Sequence, residues 1–69
     1  MSFNAKELKA ARVRRGLTQK SMAAMLETSV NNYNQKENGV RRFFLGEVEK
    51  IADILQLTQT EIMRIFFAD

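Results

Sequence analysis

The stretch from Thr18 to Gly39 reads TQKSMAAMLETSVNNYNQKENG, and the rest of the chain is organised around it. Its second half is dense in amide side chains, at Asn31, Asn32, Asn34, Gln35 and Asn38. Tyr33 is the only large apolar side chain among them, so a helix there can bury just one narrow face. The amides would then face outward, where paired donors and acceptors can recognise a hydrogen-bonding pattern. The alternative interpretation is that they are simply hydrated.

Capping residues mark the helix boundaries along the chain. Polar N-cap residues precede most of the segments with helical periodicity, and glycines follow two of them. The predicted helices cover residues 5–15, 19–26, 30–38 and 45–55, with a fifth that starts after Thr58. No segment alternates apolar and polar residues as a half-buried strand does. We therefore predict an all-α fold of five short helices, in a single domain over residues 1–69.

Composition narrows the possible functions. The 69 residues contain no cysteine and no histidine, which excludes disulfides and the usual zinc-finger ligands. No apolar run approaches the roughly 20 residues of a membrane span, and the N-terminus has no apolar run of the signal-peptide type. There is also no glycine-rich phosphate loop and no carboxylate pair with catalytic spacing. We therefore expect no enzymatic activity, no cofactor, no metal, no small-molecule substrate and no membrane partner, in a cytoplasmic setting.

Charge is distributed unevenly along the chain. The net charge is +3, but residues 1–42 hold nine Lys or Arg and three Glu, whereas residues 43–69 hold two Lys or Arg and five Asp or Glu. The first part is therefore +6 and the second −3. A basic half beside an acidic half is typical of a protein with one face for a polyanion such as a nucleic acid. An ordinary hydrated surface can carry a similar distribution.

The spacing of particular residues adds a resemblance. The pattern R-x-x-x-G-L-T-Q-x-x-M-A-x-x-L-x-T-S-x-x-x-Y-x-x-x-E-N-G, from Arg12 to Gly39, resembles the Cro/repressor-type (Xre-like) helix-turn-helix family of bacteria and phages. The resemblance extends over about residues 5–66. It implies a five-helix, lambda-repressor-like domain in which helices 2 and 3 form the helix-turn-helix. The third helix would enter the DNA major groove while the second crosses the backbone.

The sequence departs from that family at four positions. Glu27 and Gln56 stand where glycine is usual, Lys36 where an apolar residue is usual, and Phe43 where proline is common. If Glu27 adopts the left-handed conformation, it should cost on the order of 1 kcal/mol. The stem of Lys36 should lie along the core while its ammonium reaches solvent.

The resemblance also assigns the DNA-facing positions. Base contacts are expected from Val30, Asn31, Asn34 and Gln35, because amides pair bidentately with adenine and Val can contact a thymine methyl. For Gln19, at the start of helix 2, the resemblance implies a contact with phosphate and a bracing contact with the recognition helix; the alternative is a plain first-turn helix residue. Asn38, Arg41 and Arg42 follow the recognition helix near where the DNA backbone should pass, so we expect them to contact phosphate. Lys20 and Asn32 are expected to do the same, although Asn32 could equally serve the helix cap. For any single basic residue here, a hydrated charge is a comparable alternative. Arg12 and Glu37 match a structural ion pair between helices 1 and 3.

The C-terminal apolar cluster leaves two possibilities open. Ile62, Ile65, Phe66 and Phe67 either seal the core or contribute to a dimer interface. Phe66 and Phe67 are adjacent, so their side chains point about 100° apart on a helix and one should face outward. We expect a homodimeric transcriptional regulator that binds an operator in double-stranded DNA, located in the bacterial cytoplasm at the nucleoid. The alternative is an antitoxin-type module that binds a toxin and its own operator.

Overall fold

The computed structural model describes residues 2–68, which form five helices. Their bounds are α1 Ala5–Arg14, α2 Gln19–Met25, α3 Val30–Glu37, α4 Leu45–Ile54 and α5 Gln59–Phe66. The predicted all-α class is confirmed, and the first four helices end one residue earlier than predicted, at the residue before the C-cap. Within the described range there is no sheet, only a single antiparallel bridge between Ser2 and Ala68. No helix in that range has the length and apolar character of a membrane span.

Four of the helices begin at a polar side chain that accepts a backbone hydrogen bond. The acceptors are Asn4, Thr18, Ser29 and Thr58, each bonded to the N–H three residues later. In α4 the cap is reversed, because the N–H of Phe44 donates to Oε1 of Glu47 at 2.7 Å. These bonds satisfy N–H groups that lack a partner in the first turn of a helix. Helix positions are therefore determined locally, as the sequence predicts.

The C-termini of α1 to α4 all have the same left-handed turn. In each, the first residue after the C-cap has a positive φ, and its N–H donates to the carbonyl three residues back. The N–H of the following residue donates to the carbonyl five residues back, which completes the Schellman motif. The left-handed residues are Gly16 (φ 71°), Glu27 (φ 56°), Gly39 (φ 81°) and Gln56 (φ 51°). Glu27 therefore adopts the left-handed conformation for which the sequence predicted a cost, and Gln56 is in the same state.

The core forms where the five helices meet. Tyr33 on α3 is fully buried, together with Leu8 of α1, Met22 of α2, and Ile51 and Leu55 at α4. Tyr33 is thus the apolar anchor of α3, and its burial determines which side of that helix faces solvent.

The C-terminal apolar cluster mostly completes the core. Ile65 is only 2% exposed and belongs to the core cluster. Phe66 stacks on Phe3 and meets Phe43 edge-to-face, with ring centroids 5.8 Å and 5.9 Å apart. Burial removes the Ile65 side chain from any surface that a second copy could touch, so its assignment to a dimer interface is corrected. Phe66, like Ile62 and Phe67, keeps part of its surface exposed.

The expectation for Lys36 was wrong in one respect. Its stem is buried as predicted, but its ammonium does not extend freely into solvent, because Nζ lies 2.8 Å from both carboxylate oxygens of Glu47. The same ammonium sits 4.5 Å from the centroid of the Phe44 ring, a cation–π distance. Lys36 is 6% exposed overall. Its charge is therefore neutralised within the domain and joins α3 to the start of α4.

Candidate nucleic-acid interface

Helix α3 has one buried side and one amide-rich outer side. Its buried residues are Tyr33, Lys36 and Glu37. Val30 is 44% exposed and Asn31 is exposed, whereas Asn34 and Gln35 keep part of their surface accessible. The four residues predicted to face bases therefore all lie on the accessible side of α3. This side is free of acidic residues, since the one carboxylate of the helix points inward.

That inward carboxylate, Glu37, is the centre of a hydrogen-bond network. Its Oε1 accepts from Arg12 Nε at 2.7 Å and from the Tyr33 hydroxyl at 2.9 Å. Its Oε2 accepts from Gln19 Nε2 at 2.7 Å and from Arg12 Nη2 at 3.3 Å. Glu37 itself is 1% exposed. Side chains of helices α1, α2 and α3 thus converge on one buried carboxylate.

The network determines the ionisation of its members. Burial alone would raise the pKa of Glu37, but the hydrogen bonds from Arg12, Gln19 and Tyr33, with the charge of Arg12, outweigh burial and hold that pKa below its ordinary value. Burial raises the pKa of the Tyr33 phenol, and the nearby Glu37 charge raises it further. At neutral pH the carboxylate is therefore charged and accepts, while the phenol is neutral and donates.

Gln19 continues the network from the buried carboxylate to the accessible side of α3. Its Oε1 accepts from Asn34 Nδ2 at 3.0 Å. Asn34 Oδ1 in turn accepts from Asn38 Nδ2 at 3.3 Å. The structure thus brings together Gln19 and Asn38, which were predicted to contact phosphate, and Asn34, which was predicted to contact a base. They form one row of amides.

Asn32 has local partners. Its backbone N–H donates to the hydroxyl oxygen of Ser29 at 3.0 Å, and Ser29 thereby caps α3. Its side-chain Nδ2 donates to Thr28 Oγ1 at 2.7 Å, in the turn between α2 and α3. Of the two roles predicted for Asn32, these contacts favour the local one, since its amide already braces the turn.

Basic side chains flank α3. Lys20 is exposed on α2, and Arg41 and Arg42 are exposed in the segment that follows α3. The two arginines border an open hollow together with Asn32, Lys36 and Phe44. Because the charge of Lys36 is neutralised by Glu47, Arg41 and Arg42 supply the positive potential there. A helix with accessible amides between positive side chains can bind a polyanion whose base edges carry donors and acceptors.

Sequence reasoning missed one further contact at the end of α4. Arg15 Nε donates to the backbone carbonyl of Leu55 at 2.7 Å, and its Nη2 lies 3.4 Å from the carbonyl of Gln56. The guanidinium therefore contacts the carbonyls of the two residues that follow α4, in the turn where glycine would be usual. These partners are 40 and 41 residues away, and no local pattern indicates them.

Residues 5–64 match the family model described as a helix-turn-helix domain. No significant match was found among curated proteins or among solved structures. The matched region includes α2, the turn and α3, and this family's unit implies binding to DNA. Together with the five-helix fold, the match shows that the chain belongs to the helix-turn-helix domain family.

Proposed function

We propose that this protein is a Cro- or repressor-like transcriptional regulator that binds an operator by inserting α3 into the DNA major groove. The observation that carries the proposal is the accessible amide side of α3, held in place from behind by the Glu37 network. A groove about 12 Å wide accepts one helix, and its base edges offer the hydrogen-bonding patterns that amides recognise. The protein is not an enzyme and needs no cofactor in this role.

Asn31 and Gln35 are the main base readers in this proposal. They are four residues apart, so they lie on the same side of α3, one turn from each other. Each amide can accept from adenine N6 and donate to adenine N7 at once, and Val30 can contact a thymine methyl. The operator therefore contains A·T pairs at the positions that α3 covers.

Phosphate contacts come from the elements on either side of α3. Lys20 is in the first turn of α2, before α3 in the chain, whereas Asn38 is the C-cap of α3 and Arg41 and Arg42 follow it. Contacts of this kind orient a protein on the duplex without reading sequence. They also make affinity fall as salt concentration rises.

The regulator acts as a homodimer in this proposal, as one domain per copy, in the bacterial cytoplasm at the nucleoid. Two copies of α3 about 34 Å apart would enter successive major grooves on one side of the duplex. Ile62 and Phe67 are half-buried in the single copy, so they can contribute apolar area to a dimer contact. Origin from a phage or prophage agrees with the resemblance of the sequence.

Selection of bound fragments from random double-stranded DNA tests the proposal. We expect an enriched inverted repeat with A·T pairs, its half-sites centred about 10 base pairs apart. Asn31→Ala and Gln35→Ala should each lose about 1–3 kcal/mol of binding on the selected site. Gln59→Ala is the matched control, since it removes an exposed amide from α5 and should leave binding unchanged. Enrichment of no motif, or equal binding by the α3 variants, would refute the proposal.

A second candidate function is an antitoxin-type module that binds both a toxin and its own operator. The observation in its favour is an exposed apolar group in the segment after α3, where Val40, Phe44 and Leu45 are 72%, 72% and 70% exposed. The discriminating experiment is co-expression with the product of the adjacent gene. An antitoxin would co-purify with that product and change its operator affinity when bound, whereas a Cro-like regulator would do neither.

A further inference from the structure

We propose that Glu37, which is too deeply buried to touch DNA, determines the orientation of the Asn34 amide, that is, which side its oxygen and its nitrogen face. This orientation in turn determines which base Asn34 can bind. Gln19 transmits this constraint between them. The inference rests on the proposed function, because it concerns one of the base-facing residues of α3. It makes Glu37 and Gln19 positioning residues for sequence specificity.

The constraint begins at the carboxylate. An ionised carboxylate can only accept hydrogen bonds, and Glu37 is held in that state by Arg12, 2.7 Å away. The amide of Gln19 has one end that donates and one that accepts, and the two ends have nearly the same shape. Because Oε2 of Glu37 cannot donate, Gln19 must turn its Nε2 toward it, as observed at 2.7 Å.

The orientation of Gln19 then determines that of Asn34. With Nε2 committed to Glu37, Oε1 of Gln19 faces α3 and can only accept, which requires the Nδ2 of Asn34 opposite it at 3.0 Å. Reversing Asn34 alone would bring two carbonyl oxygens to that distance. Reversing both amides would bring Oε1 of Gln19 against the Glu37 carboxylate. The observed orientation is the only one that satisfies both contacts.

Asn34 therefore meets DNA with its two ends already assigned. One N–H of its Nδ2 is used by Gln19, and its Oδ1 faces Asn38, from whose Nδ2 it accepts at 3.3 Å. One N–H and one lone pair remain for a base, in a fixed arrangement. A freely turning asparagine could reverse itself to suit a base with the opposite pattern of donor and acceptor. In this protein a base with the opposite pattern would place its donor against the N–H of Asn34, or its acceptor against Oδ1, and would therefore bind poorly.

A contact from Gln19 to phosphate is the competing explanation of its position. The two roles differ in what they do to sequence preference. A phosphate contact contributes equally on every sequence, whereas an orienting contact contributes at the one base pair that Asn34 reads. The variant that separates them is Gln19→Met, because methionine has a similar length but can neither donate to Glu37 nor accept from Asn34. The contacts of Arg12 and Tyr33 with Glu37 stay in place.

Binding is measured on the selected site and on its single-base variants. Gln19→Met should reduce discrimination at one base pair by roughly 5- to 10-fold, the lower part of the range that one bidentate contact provides. Asn34→Ala should lose discrimination at the same pair, and adding Gln19→Met to it should change nothing more there. Lys20→Met is the matched control, since it removes a neighbouring charge and should weaken binding to all DNA sequences equally. If Gln19→Met also weakens binding to all DNA sequences equally, the orienting role is refuted.

A measurement without DNA tests the constraint separately. Nuclear magnetic resonance of the side-chain amides should show slow hydrogen exchange at Asn34 and fast exchange at exposed Asn31. In Gln19→Met, Asn34 should become as fast as Asn31. Equal exchange in the parent protein would overturn the inference even if a DNA motif is found. If no motif is selected from random DNA, the proposed function is refuted, and with it the base-reading role of Asn34. The exchange rates would still decide whether Gln19 fixes the orientation of the Asn34 amide.

Discussion

Glu27→Gly should stabilise the protein, because Glu27 occupies a backbone conformation that suits glycine. Its φ is 56°, at the C-terminus of α2. Its N–H donates to the Ala24 carbonyl at 3.1 Å, and the N–H of Thr28 donates to the Ala23 carbonyl at 2.9 Å. The same pair of bonds closes α1 and α3, where the left-handed residue is a glycine. The substitution therefore changes the strain at this turn while its hydrogen bonds stay.

Three contributions set the size of the effect. Release of the left-handed strain gains about 1–2 kcal/mol. The greater freedom of glycine in the unfolded chain costs about 0.4–1 kcal/mol. Loss of the contact with Lys50 costs close to nothing, since the charges are 3.8 Å apart and the two side chains are 84% and 56% exposed. The net gain is therefore about 0–1.6 kcal/mol, and its midpoint of about 0.8 kcal/mol corresponds to a rise in Tm of about 3–6 °C for a domain of this size.

Thermal unfolding followed by circular dichroism measures this change. Glu27→Ala is the control, because alanine keeps the strained Cβ and removes only the carboxylate, so its Tm should stay near that of the parent. Gln56→Gly is the parallel case at the end of α4, with φ of 51°. A lower Tm for Glu27→Gly would refute the reasoning from backbone strain. An equal rise for Glu27→Ala would attribute the gain to charge instead.

Three further outcomes are expected. Arg12→Met should lower the free energy of unfolding by about 3–5 kcal/mol in urea titrations, because it leaves the Glu37 carboxylate buried without its cation; a loss below about 1 kcal/mol would contradict this reading of the pair. The folded pKa of Glu37 lies below its ordinary value of 4.5, so the unfolded chain binds more protons in acid and stability is lost as pH falls below about 4.5. Urea titrations across that range should show a shallower acid slope for Glu37→Gln than for the parent, and identical slopes would argue against the assignment. Arg41→Ala should weaken binding on every DNA sequence and flatten the salt dependence by about 0.9 in logarithmic slope, whereas an unchanged slope would remove Arg41 from the phosphate contacts.

Much of the fold was predictable because helix boundaries depend on near neighbours. The caps at Thr18 and Ser29 each act on an N–H three residues away, and the left-handed turn at Glu27 bonds to carbonyls three and five residues back. The amide-rich side of α3 was predictable for the same reason, since the burial of Tyr33 on a helix determines what faces outward. Interactions of this range are encoded in the spacing of residues along the chain.

The sequence by itself determined five helices, the polar caps of four of them, the ends of α1 and α3 at glycine, and an amide-rich helix in the helix-turn-helix unit. Only the tertiary structure decided that the Lys36 charge is neutralised by Glu47, that Arg15 closes α4, and that Gln19 joins Glu37 to Asn34. The partners of Lys36, Arg15 and Gln19 lie 11 to 41 residues away and are chosen by how the helices pack, so side-chain type alone does not identify them. The orientation of the Gln19 and Asn34 amides follows from the buried Glu37 carboxylate, which can only accept hydrogen bonds.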